Sequence, residues 1–70
     1  MKNSLITNKI RYFRFHKDEM TQQQLADKAG VTRQTIHHIE TGKYSPSLEL
    51  AFKIAKEFEA PLEDIFQYNL

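Results

Sequence analysis

The segment from Arg33 to Thr41 gathers the side chains best suited to addressing a ligand: Arg33, Gln34, Thr35, His37, His38 and Thr41, interleaved with Ile36 and Ile39. The two isoleucines have helical spacing. With Ile36 set at 0° and about 100° per residue, Ile39 falls near about 300°, Thr32 near about 320° and Glu40 near about 40°. On the other side lie His37 at about 100°, Thr41 at about 140°, Gln34 at about 160° and His38 at about 200°. One face is apolar, and the other carries amide, imidazole and hydroxyl groups. Such groups donate to or accept from base edges in a DNA major groove, which is wide enough to admit a helix. Arginine matches O6 and N7 of guanine, and glutamine matches N6 and N7 of adenine, each through two hydrogen bonds. A face meant only for solvent would normally carry long charged residues, and their scarcity here favours a ligand.

Other chemistries find less support. His16, His37 and His38 invite a metal reading, but adjacent helical residues point about 100° apart and cannot share one ion, and His16 has no spaced partner. With no cysteine there is no thiolate site either. No metal, cofactor or small-molecule ligand is expected. The chain also lacks a glycine-rich phosphate loop, a Ser/His/Asp arrangement and an inward-facing carboxylate pair, which argues against an enzyme.

Those candidate groups sit in a chain of 70 residues whose formal net charge is only +1. The total hides a polarised distribution. Residues 1–43 carry eight cations and four anions, a net +4, whereas residues 44–70 carry two cations and five anions, a net −3. A basic half suits a polyanionic partner. A domain this small buries only about 60% of its unfolded surface, and without disulfides its packing must suffice. No run approaches the roughly 18 apolar residues of a membrane span, nor is there a signal-peptide apolar region, so a soluble cytoplasmic protein without membrane contact is expected.

The elements that must position the polar face can be read from sparse punctuation, with two glycines and two prolines. Asn8 is placed to cap a helix from about Lys9 to His16, with Ile6, Ile10 and Phe13 on one face. Thr21 caps Gln22 to Ala29, Gln24 completes a capping box, and Gly30 suits a left-handed terminus. Thr32 caps again, and Arg33 to Thr41 runs to Gly42. Two short helices so closely joined meet at a steep angle, as in a helix-turn-helix. A fourth helix, from about Ser47 to Phe58, has Leu50, Ile54 and Phe58 as its stripe, with Leu48, Ala51 and Ala55 beside it. Pro61 at a first helical position opens a fifth, Leu62 to Phe66. The tail Phe66-Gln67-Tyr68-Asn69-Leu70 alternates with a strand period.

The stretch TQQQLADKAGVTRQTIHHIETGK, Thr21 to Lys43, resembles the helix-turn-helix of the Cro and phage-repressor family, also called the xenobiotic-response-element type. Ala26 stands where that family keeps a small residue between its helices, Gly30 where the turn needs positive φ, and Val31, Ile36 and Ile39 where the pair docks on the core. The likeness extends from Ile10 to about Tyr68 and is greatest with the short stand-alone regulators. It implies an all-α, five-helix, lambda-repressor-like domain over residues 1–70, with the helix-turn-helix at about 21–41. A small antiparallel two-stranded sheet would form from the terminal segments 4–7 and 66–70. Two departures stand out: Lys17-Asp18-Glu19-Met20 lacks the usual glycine and is one residue longer than in many relatives, and Glu59-Ala60 replaces a frequent glycine.

The implied function is sequence-specific binding of double-stranded DNA by a transcriptional regulator, a repressor given how little chain is left for other tasks. Arg33, Gln34, Thr35 and His38 would read bases; Gln22, Thr32, His37, Thr41, Lys43 and Tyr44 would hold phosphates. Arg33, flanking the apolar sector, is also placed to grip phosphate. Glu40 and Arg14 are charges inside apolar sectors, and since an unpaired charge in a small core is costly, and the family pairs these positions, an ion pair is expected. A single recognition helix discriminates poorly, so a homodimer on a pseudo-palindromic operator is expected, with half-sites about 34 to 36 Å apart. Ile65, Phe66, Tyr68 and Leu70 offer its interface. The rival is a protein-interaction or antitoxin-like module on the same scaffold.

Overall fold

The computed structural model describes residues 5–69. In chain order it contains β1 (Ile6–Asn8), α1 (Ile10–Phe15), α2 (Gln22–Ala29), α3 (Arg33–Glu40), α4 (Leu48–Phe58), α5 (Leu62–Ile65) and β2 (Phe66–Tyr68). Five helices and a small antiparallel sheet are thus present.

Local chemistry accounts for most helix ends. The Thr21 hydroxyl accepts from Gln24 N–H at 3.0 Å while Gln24 Oε1 accepts from Thr21 N–H at 2.8 Å, closing a capping box on α2. Thr32 caps α3 through Thr35 N–H, and Ser47 caps α4 through Leu50 N–H. Three helices end in the same way, on a left-handed residue followed by an N–H that reaches back five positions: Gly30 with Val31 to Ala26, Gly42 with Lys43 to His38, and Glu59 with Ala60 to Ala55. This closure satisfies carbonyls that the helix leaves unpaired. At Gly30 a Cβ would meet nothing within 4 Å, so its φ of 76° is what favours glycine.

Ile10, Leu25, Ile36, Ile39, Ile54 and Ile65 are fully buried and draw α1 to α5 around one core, with Met20, Ala26, Ala29, Leu50, Ala55 and Phe58. Ala26 and Ala29 have no side-chain bulk to hold the α2 and α3 axes apart. Every buried residue among those described is apolar.

Several boundaries differ from expectation. α1 starts at Ile10, with Lys9 and not Asn8 in the flanking cap position, because Asn8 and Ile6 belong to β1; the Asn8 side chain nevertheless accepts from Ile10 N–H at 3.1 Å. Ile6 is therefore part of a strand and not of a helical face. β1 pairs with β2 in the register Ile6 to Tyr68, Thr7 to Gln67 and Asn8 to Phe66, two residues later than the first terminal segment was placed. Ser4 and Leu70 lie outside the described residues. Pro61 has an extended ψ of 148° and stands before the first turn of α5, which ends at Ile65 so that Phe66 can enter the sheet. Leu48 is 67% exposed rather than beside the core. The longer link after α1 turns through two successive left-handed residues, Asp18 and Glu19. Lys17 closes it by donating to the Glu57 carbonyl at 2.9 Å.

Candidate nucleic-acid interface

A polar chain ties α1, α2 and α3 together and underlies the candidate interface. Arg14 Nε donates to Glu40 Oε2 at 2.6 Å and Nη2 to Oε1 at 3.1 Å, while Nη1 donates to the Met20 carbonyl at 2.7 Å. The side chains keep only 15% and 8% exposure, and a two-point guanidinium–carboxylate contact in that setting fixes orientation as well as distance. Gln22 continues the chain from the first turn of α2. Its Nε2 lies 3.2 Å from Glu40 Oε1 and 3.3 Å from His37 Nδ1, and its Oε1 accepts from Arg33 Nη1 at 3.4 Å.

The α3 face sorts itself around this network. Arg33 leans back toward α2 and joins Gln22, His37 and Thr41 along one groove. Gln34 is exposed, and among the described residues its amide makes no hydrogen bond. Thr35 is half-buried, its hydroxyl 3.0 Å from that of Thr32, so both hydroxyls are engaged within the helix start. His38 is half-buried with its ring edge-on to Tyr44, the centroids 5.9 Å apart. Thr41 spends its hydroxyl hydrogen on the His37 carbonyl at 2.9 Å. Lys43 is exposed beyond the end of α3 and has no ion pair among the described residues, and Tyr44 is 45% exposed.

The structure thus brings together two groups of the expected residues. Gln22, Arg33, His37 and Thr41 line the groove between α1 and α3; His38, Lys43 and Tyr44 cluster at the C-terminal end of α3. Gln34 stands exposed on the outer side of the first turn of α3. Sequence reasoning read Asn8 only as a cap and missed its second contact: its Nδ2 donates to the Ile39 carbonyl at 2.9 Å and so braces the C-terminal end of α3 against β1. A polar residue just before the apolar start of α1 was the available signal, but its partner is 31 positions away. Lys9, Arg11 and Tyr12, which share the groove wall, were missed as well. Among the described residues, no group of three or more His, Asp or Glu could hold a metal ion.

One expected interface residue is corrected. Ile65 is fully buried in the core of its own chain, because α5 turns its one apolar stripe inward, and offers no surface to a second copy. Phe66 packs partly against the same core, while Tyr68 is 64% exposed.

Comparison with known proteins agrees with this architecture. A family model described as helix-turn-helix matches residues 10–65. An uncharacterized helix-turn-helix-type transcriptional regulator of Methanocaldococcus jannaschii is 59% identical over 62 residues, covering 89% of this chain and 92% of that protein. A second, from Archaeoglobus fulgidus, is 54% identical over 61 residues, covering 87% and 86%. A crystal structure from Bacteroides fragilis, of a candidate DNA-binding protein, superposes with a TM-score of 0.76 at 22% identity, covering 89% of this chain and 98% of that one, and so shares the fold.

Proposed function

The chain belongs to the helix-turn-helix family, a family of DNA-binding transcriptional regulators and not of enzymes, and we propose that it represses transcription by binding a pseudo-palindromic operator as a homodimer. The observation that carries this reading is the exposed, unpartnered amide of Gln34 on the first turn of α3. That is the end of a recognition helix which meets base edges, and a free amide has both a donor and an acceptor for adenine. Around it Arg33, Thr35 and His38 complete the base-facing set, with Arg33 shared with the backbone through its hold on Gln22. Gln22, Thr32, His37, Thr41, Lys43 and Tyr44 flank them as backbone ligands, with Lys43 supplying charge.

Dimerisation falls to the outer end of the sheet. Exposed Tyr68 stands there, and the Asn69 N–H donates to the carbonyl of Leu5, itself 50% exposed, which places a second large apolar side chain at the same end. No helix among the described residues is long and apolar enough to cross a membrane.

Selection from a random duplex library tests the reading: it is expected to enrich a two-fold symmetric site. On that site Gln34→Ala should lose about 1 to 3 kcal/mol and relax preference at one base pair of each half-site. Lys43→Ala should weaken selected and random duplexes alike and make the salt dependence shallower by about 1 per contact. Equal losses from Gln34→Ala on selected and random DNA would remove the base-reading role.

A further inference from the structure

Between α1 and the stripe Arg33, His37 and Thr41 of α3 lies an open groove of about 620 Å3, lined also by Lys9, Arg11, Tyr12, Arg14 and Gln22. Its charges are unevenly matched. Glu40 is the one carboxylate in the lining, and it is bound at both oxygens by Arg14. Lys9, Arg11 and Arg33 are left with no ion pair among the described residues. Three unmatched cations thus converge on one groove in a chain whose net charge is +1. Convergence of that kind raises the local potential and draws in a polyanion.

The cations are not equivalent. Lys9 also lines a neighbouring groove with Glu63 and Asp64, whose carboxylates weaken its field and mark the edge of the basic surface. Arg11 is exposed, its guanidinium has no partner among the described residues, and it faces the groove that holds Gln22 and Arg33. A planar fork of donors held free at such a place suits two phosphate oxygens.

We propose that the phosphate track does not stop at the helix-turn-helix but continues onto α1, with Arg11 as its principal further ligand and Lys9 as a lesser one at its border. This inference rests on the DNA-binding reading above and extends its contact surface. It also explains how a domain of nearly balanced charge would hold a backbone: Arg11 and Arg33 are gathered where the one carboxylate, Glu40, is already taken by Arg14.

The test measures binding of the selected duplex and of a random duplex by wild type, Arg11→Gln, Arg11→Lys and Lys9→Gln across 50 to 200 mM KCl. Each phosphate contact contributes about 0.9 to the slope of log affinity against log salt, so losing one shrinks the affinity ratio across that range about 3.5-fold, and a dimer loses two. Arg11→Gln should show that loss equally on both duplexes, Lys9→Gln a smaller one, and Arg11→Lys should restore most of the slope. Thermal melts of all variants should be unchanged, since neither side chain supports another. Wild-type binding with an unchanged slope in Arg11→Gln would overturn the α1 track while leaving the DNA-binding reading intact. Absence of duplex binding by the wild type would overturn both.

Discussion

Replacing Glu40 with alanine is the most severe single test of how this fold is held. The substitution strands an Arg14 guanidinium that is only 15% exposed in its side chain, removing two of its three hydrogen bonds and leaving the Met20 carbonyl as its one partner. Gln22 loses its Glu40 contact at the same time. Breaking a buried pair from one side costs about 3 to 5 kcal/mol, because the remaining charge is desolvated without compensation. The 15% exposure lets water reach Arg14, so the lower end, about 3 kcal/mol, is expected. A domain of this size is stable by roughly 4 to 10 kcal/mol, so the variant gives up a third or more of its stability. Urea melts at constant slope measure the loss directly, and the midpoint of thermal unfolding should fall by about 12 to 24 °C. Arg14→Ala should cost a similar amount, whereas Arg14→Met combined with Glu40→Leu should lie close to wild type, since an apolar pair of similar volume needs no compensating charge. The exposed pair of Lys53 and Glu49, at 3.5 Å, serves as the control, with a change within about 0.5 kcal/mol on Lys53→Ala. Losses below about 1 kcal/mol for both Glu40→Ala and Arg14→Ala would refute the reasoning.

Two further outcomes follow from the backbone and the surface. Glu59 closes α4 in a left-handed conformation at φ 54°, which costs a side-chain-bearing residue about 1 to 2 kcal/mol; glycine removes that cost but loses more chain entropy on folding, so Glu59→Gly should stabilise by about 0.5 to 1 kcal/mol. A lower thermal midpoint in that variant would contradict the strain assigned to this residue. Tyr68→Asp places a charge on the exposed end of the sheet and should shift sedimentation equilibrium from dimer to monomer with the fold intact by circular dichroism. A variant that still sediments as a dimer would exclude this segment from the interface.

How far the sequence alone reaches depends on the distance over which each signal acts. The caps at Thr21 and Thr32 and the left-handed closure at Gly30 involve partners within five residues, so residue type at a fixed offset is enough to place them. The apolar and polar faces of α3 follow from its 3.6-residue period, and Ile36 and Ile39 are buried where that period puts them. The contact of Arg14 with Glu40 spans 26 positions; each residue interrupts an apolar sector and so calls for a partner, but it is the resemblance to the family that joins the two.

What the tertiary structure decided is where surfaces end. A stripe of leucine and alanine on α4 does not say which of its margins the other helices cover, and Leu48 falls outside while Leu50 falls inside. A three-residue strand has too little pattern to set its own register, and β1 pairs where Asn8 stands opposite Phe66 and reaches the Ile39 carbonyl. Ile65, apolar in an apolar tail, reads the same whether it faces a partner or its own core, and the turn from α5 into β2 buries it. The same holds for function. Residue types along α3 were enough to mark a polar face suited to base edges, but the joining of Gln22, Arg33 and His37, and the open groove they share with Arg11, exist only because α1, α2 and α3 converge, and no periodicity within one helix encodes the angle at which it meets another.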